Sequence, residues 1–142
     1  MVSPAVDRDL RLKMTKADGR SELLAELEKD RLAKVSFANV WLTLTFYSGA
    51  VLTFYQPPVV TMEARELAEG SAGYCDALVS LIDCEVVTSE SRVGVELCLR
   101  FDSANVSVRL DGPLDDSSSH DAAVLHGVRS DLVGVWPIGE EP

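Results

Sequence analysis

Between Val40 and Phe54 the chain reads VWLTLTFYSGAVLTF, with apolar residues at alternate positions. Val40, Leu42, Leu44 and Phe46 fall on one side of an extended strand, and Trp41, Thr43, Thr45 and Tyr47 on the other. This two-residue period marks a half-buried β-strand. Tyr47-Ser48-Gly49-Ala50 supplies a turn, with Gly49 free to take a positive φ. Val51 to Tyr55 reads as the return strand, and Pro57-Pro58 ends it because neither proline can donate to a ladder. Thr43, Thr45, Val51 and Thr53 are β-branched and argue against a helix.

The same alternation returns 55 residues later, with Leu97, Leu99 and Phe101 in the places of Leu42, Leu44 and Phe46. The opposite face now carries Glu96, Cys98 and Arg100, so it is the wetter one. Asp102-Ser103-Ala104-Asn105 is predicted as the turn, with Asn105 left-handed. Val106, Val108 and Leu110 point inward on the return strand. Two hairpins of one outline suggest a duplicated unit.

Helical spacing appears twice. Ser21 is a suitable N-cap, with Glu22 in the first turn, and Leu23, Leu24 and Leu27 make an apolar stripe to about Arg31. From Ser71 to Asp83, Tyr74, Ala77, Leu78, Leu81 and Ile82 form a second stripe for a sheet to cover. Further short strands are expected at Leu32–Phe37, Glu85–Val87, Ala122–Leu125 and Leu132–Trp136. Ser89 to Arg92 reads as a polar loop, and Val59 to Leu67 fits either strand or helical turn. Gly112 to Asp121, GPLDDSSSHD, reads as an exposed loop.

The length of 142 residues suits one domain with a core of its own. The expected layout is a mobile tail at 1–20, a single α+β domain at 21–137 and an acidic tail at 138–142. No apolar run reaches the ~18 residues a membrane helix needs. The opening MVSPAVDRDLRLK lacks the apolar core of a signal peptide, which points to the cytoplasm. Cys75, Cys84 and Cys98 match no zinc or redox spacing and read as reduced, mostly packed thiols. Asn105-Val106-Ser107 is a formal glycosylation sequon without an export signal to make it relevant.

Charge is unevenly spread. Through Lys34 there are eight basic and seven acidic residues, a net of +1; from Val35 onward five basic face sixteen acidic, a net of −11. A body this acidic repels phosphate backbones, so nucleic acid and anionic membranes are not expected partners. A basic protein, a cation, or solubility alone accounts for the charge.

No phosphate loop, dinucleotide fingerprint or nucleophile elbow is present; Tyr47-Ser48-Gly49 lies in a hairpin turn rather than a strand-to-helix turn. Asp111, Asp115, Asp116, Ser119, His120 and Asp121 could offer oxygen ligands to a hard cation, but without the alternation of an EF-hand. His120 and His126 lack ligand spacing and read as a solvated and a partly packed histidine. No metal and no cofactor is therefore expected. Trp41, Tyr47, Phe54, Tyr55 and Trp136 are the aromatics expected at or near the surface. A shared exposed face of Trp41 and Tyr47 would make a contact patch; a helix covering that face is the alternative.

The order of LTLTFxxGxxL at Leu42–Leu52, YxxALxxLI at Tyr74–Ile82, LxLxFD at Leu97–Asp102 and AAVL at Ala122–Leu125 resembles a group of uncharacterised small bacterial proteins of actinomycete type. These in part resemble toxin-immunity proteins. Asp121 and Ala104 stand where that group often carries Glu and Gly. The resemblance implies a two-hairpin α+β fold and carries no catalytic residue.

The expected fold is thus α+β: one antiparallel sheet or a small sandwich from two related β-hairpins, with one or two packed helices. The expected function is non-enzymatic binding of a basic protein, immunity-like, with Trp41, Tyr47, Asp115, Asp116 and Asp121 as partner contacts. The alternative is a homo-oligomeric module whose acidic charge serves solubility.

Overall fold

The computed structural model describes residues 19–37, 42–111, 121–127 and 133–138. Residues 1–18 of the expected N-terminal tail and most of the acidic C-terminal tail lie outside these, as do Trp41, Asp115, Asp116 and His120; Gly19 and Arg20, expected in that tail, instead open a helix, with Arg20 buried. Among the described residues ten strands form two antiparallel five-stranded sheets, accompanied by two short helices. The fold is α+β, and its two sheets enclose one apolar interior.

In chain order the elements are α1 (Gly19–Ala25), β1 (Leu32–Ser36), β2 (Leu42–Phe46), β3 (Val51–Phe54), β4 (Val59–Met62) and β5 (Arg65–Leu67). Then come α2 (Tyr74–Val79), β6 (Val86–Arg92), β7 (Glu96–Phe101), β8 (Ala104–Arg109), β9 (Asp121–His126) and β10 (Val133–Pro137). The first sheet has the order β1-β2-β3-β9-β10 and the second β5-β4-β8-β7-β6. Each predicted hairpin is a central pair, β2–β3 in one sheet and β7–β8 in the other. Leu42, Leu44, Phe46, Leu97, Leu99 and Phe101 are all buried in the common core, as the alternation requires.

The duplication runs deeper than the two hairpins. Each half of the chain is a helix, a three-stranded meander and a further hairpin. Register equates them: Val35 pairs with Leu44 as Ser89 pairs with Leu99, and Leu44 pairs with Leu52 as Leu99 pairs with Val106. The second hairpins change places. β4–β5 joins the C-terminal meander through β8, and β9–β10 joins the N-terminal one through β3. The helices cross as well, α1 packing on β6 and β10, and α2 on β4 and β1.

A local two-fold relates the halves where they meet. Arg31 and Glu85 form a lone antiparallel bridge. Around it Leu32 N–H donates to Cys84 O at 3.1 Å and Val86 N–H to Asp30 O at 2.8 Å. Lys29 N–H donates to Val86 O at 2.8 Å and Asp83 N–H to Leu32 O at 2.7 Å. Each bond maps onto its mate by a shift of 54 residues. The same shift superposes Leu24 on Leu78 and Leu27 on Leu81, four fully buried leucines. It also brings Arg20 onto Tyr74, two buried side chains that donate to main-chain oxygens of the opposite half, Val135 O at 2.8 Å and Pro58 O at 2.6 Å.

Several elements differ from expectation for visible reasons. α1 starts at Gly19 and stops at Ala25, whereas the stripe predicts Ser21 to about Arg31. Glu26, Leu27 and Glu28 N–H groups reach back only three residues, a tighter winding that keeps Leu27 inward. Lys29, at φ 72°, then turns its N–H to the other half. α2 is likewise six residues, not Ser71–Asp83, and Asp83 at φ 74° repeats the exit. Asn105 is not left-handed: Ala104 and Asn105 already belong to β8, and Asp102-Ser103 makes the turn. Val59–Leu67 is a hairpin whose two turn residues, Glu63 and Ala64, both take positive φ (52° and 65°). Such a turn favours Asn and Gly, so its sequence gives no signal. Ser89–Arg92 is strand rather than loop, because β6 is a sheet edge that faces α1 with Ser89 and Ser91.

Candidate functional site

The β2–β3 turn stands beside the junction of the halves. Gly49 takes φ 100°, closing the turn with Gly49 N–H donating to Phe46 O at 2.9 Å. Tyr47 N–H donates to Arg31 O at 2.9 Å, which fixes the turn over the bridge. From there the Tyr47 hydroxyl donates to Asp83 Oδ1 at 2.5 Å, and the Ser48 hydroxyl donates to Asp30 Oδ2. Tyr47 remains 63% exposed. Its hydroxyl pKa lies above the usual tyrosine value, first because Asp83 accepts its proton in a hydrogen bond and then because that carboxylate's charge opposes a phenolate.

Between this turn and the chain leaving α1 lies a cleft of about 380 Å³. Its floor is apolar, with Leu23, Leu27, Ala50 and Leu125. Its rim carries three carboxylates, Glu26, Glu28 and Asp30, and one cation, Lys29. Glu28 Oε2 accepts both Ser89 N–H at 2.9 Å and Ser89 Oγ–H at 3.1 Å, so its carboxylate is anchored to β6. Asp30 Oδ1 accepts Arg31 N–H at 2.9 Å. An apolar floor under a carboxylate rim suits a lysine or arginine side chain, whose stem is aliphatic and whose head is cationic.

The duplicated backbone provides an internal control. The shift of 54 places Ser80, Ile82 and Cys84 where Glu26, Glu28 and Asp30 stand. The same turn is built in the second half with none of the three carboxylates. The carboxylates at 26, 28 and 30 are thus particular to the first half, while the second has Asp83 and Glu85 in the places of Lys29 and Arg31.

Among the five expected contacts, Tyr47 is exposed on the β2–β3 turn, next to the cleft-lining Ser48 and bonded to Asp83. Trp41, Asp115 and Asp116 lie outside the described residues. Asp121 opens β9, half-buried and in register with Pro137. Phe54 and Trp136, expected near the surface, are fully buried; Tyr55 is exposed. Trp136 Nε1–H donates to Ser91 Oγ at 2.8 Å, tying β10 to β6. His126, expected to be partly packed, is exposed at the end of β9. Glu26, Glu28 and Asp30 escaped the sequence reading because they resemble the solvated side of an amphipathic helix; only the comparison of the two halves singles them out.

The remaining chemistry is quieter. On the outer face of the second sheet Arg92 Nε lies 2.8 Å from Glu90, and Arg100 3.6 Å from the same carboxylate. Cys98 sits on that face yet is buried, and burial pushes its thiol pKa up. The three cysteines are free: Cys98 buried, Cys84 half-buried and Cys75 exposed rather than packed. Asp111 pairs with Arg109, whose hydrogen bond holds its carboxyl below the usual range. Among the described residues no group of three His, Cys, Asp or Glu side chains could hold a metal ion, and no helix is long and apolar enough to cross a membrane.

The geometry defines a class: an α+β protein of two five-stranded sheets, built from two copies of one unit whose helices and second hairpins are exchanged. Comparison with family models, with curated proteins and with solved structures finds no match to this chain.

Proposed function

We propose that the protein is a non-enzymatic binding protein that engages a basic protein partner through the cleft between α1 and the β2–β3 turn. An immunity protein engaging its toxin would be one instance. Glu26, Glu28 and Asp30 receive a lysine or arginine side chain, and Tyr47 lies flat against the neighbouring surface as an aromatic anchor. The observation that carries this reading is the asymmetry of the halves, which keep one backbone but place carboxylates at positions 26, 28 and 30 of the first half, beside the cleft, and at the different positions 83 and 85 of the second. The net charge of −10 adds long-range attraction that speeds encounter with a cationic surface.

The test compares two triple variants of equal net charge in affinity capture from cells of the protein's source. One is Glu26→Gln, Glu28→Gln and Asp30→Asn; the other neutralises Glu63, Glu66 and Glu69, exposed carboxylates around β5. A basic protein held by the wild type and the second triple, lost by the first, and released by added salt is the expected outcome. Equal capture by both triples, or capture indifferent to salt, would overturn the assignment of this cleft.

A further inference from the structure

The exchange of helices and hairpins has a consequence for association. Neither half contains a finished sheet: each sheet has three strands from one half and two from the other. Each helix packs on strands of the opposite half. The surface that one half offers the other is therefore the interior of the fold, and it is the same surface in every copy of the chain. Only the tether between β5 and α2 favours a half's own partner.

That tether is slight. Ala68 to Gly73 is exposed throughout. Its hydrogen bonds are local: Ala68 N–H to Ser71 Oγ at 3.2 Å, Ser71 N–H to Ala68 O at 2.9 Å, and Tyr74 N–H to Ser71 O at 3.2 Å. Gly70 and Gly73 take φ +88° and +86°, and no heavy atom lies within 4 Å of where a Cβ would stand on either. Straightening this segment disturbs little else, and six residues can then span roughly 20 Å.

We propose that a second copy of this chain is a structural partner. Two chains exchange halves about Ala68–Gly73, so that the N-terminal half of each completes both sheets with the C-terminal half of the other. A short flexible tether gives the closed form an effective concentration of roughly millimolar order. The charge of −10 on each chain adds repulsion at low salt. Dilute chains therefore close on themselves, and exchange grows when chains fold together at high concentration. Once formed, the exchanged dimer comes apart only by unfolding, because its contacts are those of the core.

The bridge pair provides the readout. Arg31 and Glu85 belong to different halves, and the bonds flanking them make theirs a non-hydrogen-bonded pair. Such pairs have Cα atoms about 4.5 Å apart, within reach of a disulfide. One full-length chain carries Arg31→Cys and the other Glu85→Cys, both with Cys75→Ser and Cys84→Ser. A single chain with Arg31→Cys and Glu85→Cys together serves as the reference for oxidation. Refolded jointly from denaturant at high concentration and oxidised, the two single variants should give a dimer linked between positions 31 and 85. The ratio of dimer to monomer should rise about tenfold for a tenfold rise in refolding concentration, by mass action. The same chains folded apart and then mixed should give almost none.

A second variant acts on the tether alone. Deleting Gly70 to Ala72 should shift the wild-type chain to a dimer at all concentrations with an unchanged circular dichroism spectrum. Absence of the 31–85 link after joint refolding would overturn the proposal, and so would a dimer that forms without that link, since it would join by outer surfaces. If the deletion variant fails to fold, the cysteine pair, whose tether is intact, still decides.

Discussion

Gly134 lies under the indole of Trp136, two residues further along β10. A Cβ on Gly134 would stand 2.8 Å from Trp136 Cη2 and 3.0 Å from Leu23 Cδ2. The indole cannot swing aside, because it is fully buried and its N–H is bound to Ser91 Oγ. Gly134→Ala should therefore destabilise by about 1–3 kcal/mol through overpacking. Chemical denaturation measures this, and Leu23→Ala in the same chain should recover part of the loss.

Phe46 and Phe101 occupy equivalent places in the two meanders, 1% and 4% exposed in one core. Truncating either to Ala should cost about 3–5 kcal/mol in a urea melt. Losses under about 1 kcal/mol at both would contradict a shared interior.

Glu28 and Glu26 are neighbours at the cleft with different attachments. Glu28→Ala leaves the Ser89 amide without its acceptor and should cost about 1–2 kcal/mol. Glu26→Ala, at an exposed position, should stay within about 0.5 kcal/mol. Thermal unfolding of the pair separates the carboxylate bonded to β6 from the one that makes no such attachment.

Much of this architecture was plain in the amino-acid pattern. The alternation at Leu42–Phe46 and Leu97–Phe101 identified both central hairpins and their inward faces, because one buried face fixes side-chain parity. The stripes through Leu24 and Leu27, and through Leu78 and Leu81, identified the buried sides of both helical segments but not their lengths. Helix ends here depend on Lys29 and Asp83 turning their amides to the opposite half, a long-range bond that no local window contains. The burial of Trp136 is hidden from a local window for a related reason: it needs Gly134, Leu23 and Ser91, which lie on three different elements. Beside the candidate site, Tyr47 is legible from the alternation as an outward aromatic, whereas Glu26, Glu28 and Asp30 look like any solvated helix side.

The Tyr74 hydroxyl donates to Pro58 O across the halves, and its pKa is pushed up to about 12, chiefly by burial. In the unfolded chain the tyrosine hydroxyl has its ordinary pKa of 10.0. Between these values the native state keeps a proton that the unfolded state has lost. The contribution is complete below pH 10 and is lost as pH rises toward 12, at most about 2–3 kcal/mol. Stability measured from pH 9 to 12 should fall less steeply in Tyr74→Phe than in the wild type.

Thiol labelling checks the burial of Cys98. Under native conditions a disulfide reagent should react promptly with exposed Cys75 and leave Cys98 untouched, since a buried thiol with a raised pKa has little thiolate. Denaturant should release it. Equal native rates for Cys75 and Cys98 would mean that the outer face of the second sheet is open.

The crossed hairpins also bear on how the chain is made. β3 acquires its neighbour β9 only after residues beyond Asp121 have left the ribosome. At about 5–20 residues per second, the 67 residues from Phe54 to Asp121 take roughly 3–13 s. Through that interval the nascent chain carries an open strand edge, the kind that recruits wrong partners. Pro57 and Pro58 hold the stretch after Tyr55 extended and lead β4 away from that edge. Cotranslational folding thus stays incomplete until the last strand appears.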